Sequence, residues 1–585
     1  MHRPSPRLRA FSFALFAFFL GLAPSAAHAQ DLKGAVDTSL RWLREHQKQD
    51  GAWGSGLEDT SLALYAFATS HRKYTVWDGP WLRRGVDLLL AKRDAAKGSI
   101  GSARETLLAA LAIEALKTDV GSAVVEDALR FAARELKREL PADRERAALE
   151  GFVRTALGDN VPPAEPDSKA AAALGQQLME QRDEAGSFGG EVRATILGVL
   201  TMNRCLDAQS RKKAPKNATP KSSLPAPKAD YDLARMRENA ARFLLDPQQR
   251  VGEMWGFGPY PDLGITGMVI GALQAIPSAQ RSPQIEAEIG KGLDKLAQAQ
   301  RKDGSIHNGQ VVAYTTSVAV LALSRSTKKE HQEAAQRGRA YLTQAQSDEG
   351  EGYGEDHKYY GGIGYGGDER PDLSNLQMAM DALAAAGADA QDDAVKKALV
   401  FLQRVQNRSE SNPGAARNEE GTFVAGNDGG GIYAPGESPA GTTKLADGRK
   451  TARSYGSMTY ALLKGFLYAG LPKDDARVKA AFEWIQKNYS VDENPGFELS
   501  SDPDAAAQGY FYYLHTMART LDLYGGDTLT DVGGRTRAWR KEIAARLGAL
   551  QRADGSWVND RAERWWEGNP VLATAYALLA LEYCR

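Results

Sequence analysis

The sequence predicts an all-α protein built of helical hairpin repeats, with a six-hairpin set able to close a ring and a second, smaller helical lobe ahead of it. The first observation is a recurring phrase, Leu-x-x-x-Gln-x-x-Asp-Gly-Ser-Trp. Its clearest copies are Trp42 to Trp53 (WLREHQKQDGAW), Leu296 to Ile306 (LAQAQRKDGSI) and Leu547 to Trp557 (LGALQRADGSW). Each copy reads as a helix ending at Gln, a tight turn at Asp-Gly that needs positive φ, and an aromatic or aliphatic plug. The second observation is the short apolar helix, seeded with Thr and Tyr, that follows each copy. The third is a contrast in pattern: the Gln-bearing helices are amphipathic and charged, whereas the helices after them are apolar nearly all round (TSVAVLALS, ATAYALLALEY). That places the second set inside and the first outside.

Taken in chain order, residues 1–29 carry Arg3, Arg7 and Arg9, then the apolar run Phe11 to Leu22, then Ala27-His28-Ala29. This is the order of a secretory signal peptide, whose apolar run is too short for a bilayer core of about 30 Å. The mature chain is expected to begin near Gln30 and to be exported, periplasmic or extracellular, without a transmembrane segment after cleavage. Residues 30–206 form the smaller lobe. Gln47 and Gln181 mark two of its units, Lys92 to Gly101 (KRDAAKGSIG) marks a degenerate one, and helical patterns at Ser122 to Leu136 and Ala142 to Leu157 fit another hairpin.

Residues 207–230 (DAQSRKKAPKNATPKSSLPAPKAD) are rich in Lys, Pro, Ala and Ser and lack periodicity, so they read as a linker. From 231 to 585 the anchoring glutamines fall at Gln249, Gln300, Gln346, Gln406, Gln486 and Gln551. Gln249 is the weakest, because Arg-Val-Gly-Glu-Met-Trp replaces the usual turn. The inner helices are expected at Leu263 to Ala275, Val311 to Leu323, Leu373 to Ala384, Tyr455 to Tyr468, Gln508 to Leu523 and Pro570 to Tyr583.

At 585 residues the chain is long enough for two or more cores. Its 73 basic and 74 acidic side chains nearly cancel, so no electrostatic footprint for nucleic acid is present. Cys205 and Cys584 are the two cysteines. They read as buried thiols, with a bond tying the two halves as the alternative.

The Gln-x-x-Asp-Gly-Ser-Trp phrase followed by an apolar Thr-rich helix resembles the repeat of the squalene cyclase and protein prenyltransferase superfamily, over most of residues 40–585. The resemblance implies an α/α toroid, a fold that hosts triterpene cyclases, prenyl transferases and non-enzymatic domains alike. The superfamily's catalytic residues are not carried over with it. The cyclase acid, Asp-x-Asp-Asp-Thr, has its nearest match in Gly56-Leu57-Glu58-Asp59-Thr60, which lacks the first Asp and reads as helix N-terminal acids. The prenyltransferase zinc site has a partial match in Tyr512-Tyr513-Leu514-His515-Thr516, but no Cys lies near the preceding unit, so no metal and no cofactor is expected.

Function is expected where the repeat spacing stretches. Gln346 is followed by a segment rich in Gly, Tyr and acids (EGEGYGEDHKYYGGIGYGGDERPDLSN), and Gln406 by a longer one ending near Arg453. Both join an outer helix to an inner one and so emerge on one rim of the ring, where long loops carry function. The mouth on that rim is the site hypothesis. Its catalytic candidates are Asp368, Asp372, His515 and Glu567, and its ligand-binding candidates are Tyr365, Arg370, Asn375, Gln377, Tyr455, Tyr460, Tyr512 and Trp566. For Asp372 and Arg370, helix capping and loop anchoring through ion pairs stand as the structural reading. An aromatic cavity suits an isoprenoid, a lipid or a stacked sugar. The expected function is an isoprenoid- or lipid-binding protein of cyclase-like ancestry. The alternatives are a carbohydrate-active toroid using paired carboxylates such as Asp368 and Asp372, or a non-catalytic interaction toroid; whether the chain catalyses anything is not readable from these residues.

Overall fold

The computed structural model describes residues 26–136, 168–183, 185–210, 224–258, 260–309, 311–366, 370–418 and 420–584. Residues 1–25 of the expected signal peptide at 1–29, the proposed helix at Ala142 to Leu157 and most of the expected linker lie outside them. The smaller lobe contains α1 (Ala26–Glu45), α2 (Leu57–Thr69), α3 (Pro80–Ala91), α4 (Ala103–Ala115), α5 (Ser122–Leu136), α6 (Ser168–Gln181) and α7 (Val192–Ser210). The larger lobe alternates outer and inner helices. The outer set is α8 (Leu233–Leu245), α10 (Pro283–Gln298), α12 (Lys329–Gln344), α14 (Asp393–Arg404), α16 (Ala476–Lys487) and α18 (Trp539–Leu550). The inner set is α9 (Leu263–Ala275), α11 (Val312–Ser324), α13 (Leu373–Ala385), α15 (Gly456–Tyr468), α17 (Tyr510–Tyr524) and α19 (Pro570–Leu581). Each inner helix packs on the next, and α19 returns to pack on α9, so the six close into an α/α toroid.

The repeat phrase is a joint between neighbouring hairpins. Gln300 Nε2 donates to the Gly304 carbonyl at 2.9 Å and to the Ala334 carbonyl of the next outer helix at 2.8 Å. Gln346, Gln406 and Gln551 make the same pair of bonds, to Gly361 and Ala394, to Gly429 and Arg477, and to Gly555 and Met236. The turn glycine is required twice over at Gly304, where φ is +90° and a Cβ would collide with the Arg337 carbonyl of that same helix. The plug is pinned at both ends: Trp557 Nε1 donates to the Leu547 carbonyl at 2.9 Å, and its backbone N–H donates to Thr574 Oγ1 at 3.0 Å. Trp255, Ile306 and Gly431 N–H use Thr266, Thr316 and Thr459 in the same way, which explains the Thr at this place in α9, α11, α15 and α19; α13 carries none.

The weak first unit departs as its sequence suggested. Arg250 takes the anchoring role, bridging to Glu288 of α10 at 2.7 Å and stacking 4.7 Å over Trp255. Because Gln551 reaches Met236 of α8, it seals the seam between the last and first hairpins. Gln551→Ala is expected to lower toroid stability by about 1–3 kcal/mol, since two buried carbonyls lose their donor; a urea midpoint unchanged from wild type would count against the joint.

The insertion after Gln406 is a departure from an all-helical reading. It contains a small sheet of β1 (Ala415–Asn418), β2 (Gly421–Val424), β3 (Thr442–Lys444) and β4 (Lys450–Ala452) in the order β1-β2-β4-β3, with Phe423 buried beneath it. The insertion after Gln346 docks on the smaller lobe instead: Tyr359 hydroxyl donates to Asp78 at 3.2 Å and Lys358 pairs with the same carboxylate at 3.3 Å. Cys205 and Cys584 are both free and buried, which raises their thiols to about 11 and about 12. Among the described residues, no helix is long and apolar enough to cross a membrane.

Candidate functional site

The N-terminal ends of all six inner helices converge on one mouth of the toroid. Between them lies a cavity of about 220 Å³, to which every inner helix or its preceding loop contributes. One wall is Phe257, Tyr260, Ile265 and Met268; the next is Val311 and Tyr314. The two long insertions supply Tyr365 and Tyr433, and the remaining hairpins add Tyr455, Phe497, Tyr512 and Tyr576. The rim carries Trp565 and Trp566, which are 44% and 39% exposed, with Trp566 5.5 Å from Phe257. Both tryptophans hold φ near +62°, a left-handed conformation costly for residues with a Cβ.

Three carboxyl groups ring this mouth, and each satisfies the orphan N–H groups of an inner helix. Asp262 accepts from Ile265 N at the start of α9, and Asp372 accepts from Asn375 N at 2.8 Å at the start of α13. Glu567 reaches across from a loop to accept from Tyr512 N at 2.8 Å at the start of α17, where the cap position is Gly509 and has no side chain to offer. Burial dominates their acidity. It raises Asp262, lifts Asp372 to about 6 against hydrogen bonds from Asn375 and Tyr433, and lifts Glu567 to about 7 against donors from Tyr512 and Asn559.

Beneath the cavity the ring axis is polar. Lys464 of α15 donates to Asp381 of α13 at 2.6 Å and to Gln377 Oε1, while Arg519 of α17 pairs with Asp381 at 3.1 Å. Gln377 Nε2 in turn donates to the Tyr512 hydroxyl at 2.9 Å. Burial lowers Lys464 to about 8, with Asp381 opposing the shift. His515 lies in the same layer, its ring 6.0 Å from that of Tyr576, and burial depresses it to about 3. It is therefore neutral at physiological pH.

Of the sequence candidates, Tyr365, Tyr455, Tyr512 and Trp566 line the cavity. Asp372 and Glu567 lie just behind its wall as helix caps. Asn375 is turned back onto Asp372, Gln377 sits below Tyr512, and Tyr460 is buried against Tyr513. Arg370 is directed away from the cavity: it bonds the Arg72 carbonyl and pairs with Glu437 at 3.1 Å, joining the lobes as the ion-pair reading supposed. Asp368 lies outside the described residues. Glu58 and Asp59 are bound to Arg193, at 2.5 and 3.0 Å, at the start of α2. Among the described residues no group of three His, Cys, Asp or Glu side chains is placed to hold a metal.

Tyr314, Tyr433, Tyr576 and Phe257 line the cavity and were not singled out by the sequence. Tyr314 and Tyr576 stand two residues from the anchoring threonines, Thr316 and Thr574, and this offset was the available signal. Inner helices that are apolar all round give no moment to say which face meets the axis.

The family model of the squalene-hopene cyclase C-terminal domain matches residues 259–422. Among solved structures, a type II terpene cyclase from Scytonema, in complex with geranylgeranyl dihydroxybenzoate, is 16% identical, with 60% of this chain and 97% of that one covered at a TM-score of 0.36. An unsaturated glucuronyl hydrolase from Streptococcus agalactiae is 11% identical over 63% of this chain and 98% of its own, at 0.34. An ent-copalyl diphosphate synthase from Streptomyces platensis is 16% identical over 64% and 91%, at 0.23. No curated protein matches the chain.

Proposed function

We propose that this chain of the squalene cyclase-like superfamily is an exported protein that holds an isoprenoid or other lipid in the mouth of its larger toroid. The observation that carries the reading is the composition of the cavity wall: aromatic rings and aliphatic side chains from all six hairpins, with Asp262 as the one side chain among the described lining residues of carboxylate or cationic type. Burial raises that carboxyl, and its Oδ1 is occupied as the cap of α9, accepting from Ile265 N. Such a wall gains by covering apolar surface, at about 25 cal/mol per Å² removed from water. Export is supported by the order of basic, apolar and small residues at positions 3–29.

The sequence supplies no complete cyclase acid motif, and the nearest acids, Glu58 and Asp59, are engaged by Arg193 in the smaller lobe. Binding rather than cyclisation is therefore the function proposed. Organic extraction of the purified full-length protein, followed by mass spectrometry, is expected to release a prenyl or acyl lipid in stoichiometric amount. Recovery of polar glycans alone would overturn this reading in favour of a carbohydrate site.

A further inference from the structure

The hydrogen bonds beneath the cavity have a direction, and the direction is set by Lys464. An ammonium group has protons and no lone pair to offer, so the Gln377 side chain must turn its oxygen toward Lys464. Its amide nitrogen then faces Tyr512 and donates to the hydroxyl oxygen at 2.9 Å. With its oxygen accepting from below, the Tyr512 hydroxyl has its own proton to give. Ser374 Oγ stands 3.1 Å away, and both groups line the cavity. Two hydroxyls hold two protons. Their mutual bond uses one, and the other is presented to the cavity. The same count holds for Tyr314 and Tyr576, whose hydroxyls are 3.1 Å apart in the same lining.

The chain from Lys464 to Tyr512 polarises each bond in turn, so the terminal donor is stronger than an isolated phenol. Asp381 holds Lys464 in place from the other side, and both are buried, leaving this orientation no solvent-exposed alternative. A hydrocarbon seated here would bury hydroxyl protons without an acceptor, which is costly in an apolar site.

We infer that the ligand is an oxygenated isoprenoid or lipid, whose hydroxyl or carbonyl oxygen accepts the proton offered by the Tyr512 and Ser374 pair while its hydrocarbon portion lies against the aromatic wall. This rests on the reading of the cavity as a lipid site. Gln377 is a positioning residue in this arrangement and does not itself touch the ligand.

The test uses the full-length protein and two probes, farnesol and the hydrocarbon farnesene, titrated by quenching of tryptophan fluorescence. Tyr512→Phe leaves the Ser374 hydroxyl as the one donor of the pair, cut off from the Lys464–Gln377 chain, and is expected to weaken farnesol about threefold and to leave farnesene unchanged. Gln377→Met, which keeps the Tyr512 hydroxyl but removes its donor, is expected to weaken farnesol about threefold with farnesene again unchanged. If the wild type binds both probes and Tyr512→Phe shifts both equally or neither, the oxygen assignment is overturned while the lipid reading stands. If the wild type binds neither probe, the lipid reading fails and takes the assignment with it. Should Tyr512→Phe lose both probes through misfolding, Gln377→Met decides: loss selective for farnesol upholds the assignment, and no selective loss overturns it.

Discussion

Replacing Asp381 by alanine is expected to lower the stability of the toroid by about 3–5 kcal/mol, the largest effect of any single substitution on the ring axis. Burial alone would raise the Asp381 carboxyl, yet Arg519 and Lys464 together hold it below the ordinary carboxylate range. Removing it leaves two cations facing each other in the inner ring, Lys464 buried and Arg519 15% exposed, without the carboxylate that both contact. The companion experiment replaces all three charges at once, with Asp381→Leu, Lys464→Met and Arg519→Met. That triple variant is expected to lie much nearer wild type, because desolvation is relieved together with the attraction. Urea unfolding of both variants gives the comparison. A loss below about 1 kcal/mol for Asp381→Ala would mean that water reaches the cluster and screens it.

Glu567 should make the stability of the toroid fall as pH rises through neutrality. Burial lifts its folded carboxyl to about 7 from an ordinary value of 4.5. The folded state therefore binds the proton more tightly than the unfolded one. Its contribution is fully present below about pH 4.5 and is lost as pH rises through about 7, for a total of about 3 kcal/mol. Glu567→Gln is neutral throughout and removes this slope, so its stability relative to wild type is expected to climb across that window. Urea midpoints from pH 4.5 to 8 would show it, and parallel curves for the two proteins would contradict the assignment. Asp372, lifted to about 6, acts in the same sense over a lower window.

The six inner helices were legible to within a residue or two. Leu263–Ala275 was read to the residue, and Val312–Ser324 and Leu373–Ala385 to within one, because local signals mark their ends: an Asp cap before two of them and the repeat turn before the other. The rim of the toroid was legible from the stretched spacing after Gln346 and Gln406, and Tyr365 and Tyr433 from those two insertions do reach the cavity. The four-stranded sheet was not legible, since its strands are three or four residues long, too short to carry a period-two pattern of their own. Arg370 shows the limit at single residues. Its charge and its place in a long loop allowed both a ligand contact and anchoring through ion pairs, and the fold places it between Asp78 of the smaller lobe and Glu437 of the larger.

By itself the sequence determined the hairpin repeat, the division of helices into inner and outer, and the place where the ring opens. These follow from periodicity and turn chemistry, which act over a few residues. Only the tertiary structure decided which side chains meet on the axis. Tyr314 and Tyr576 lie 262 residues apart, and Gln377 and Tyr512 lie 135 apart; they come together because six hairpins close a circle. The orientation of the Gln377 to Tyr512 bond depends on one buried lysine, Lys464, and no local pattern in the chain encodes its partners.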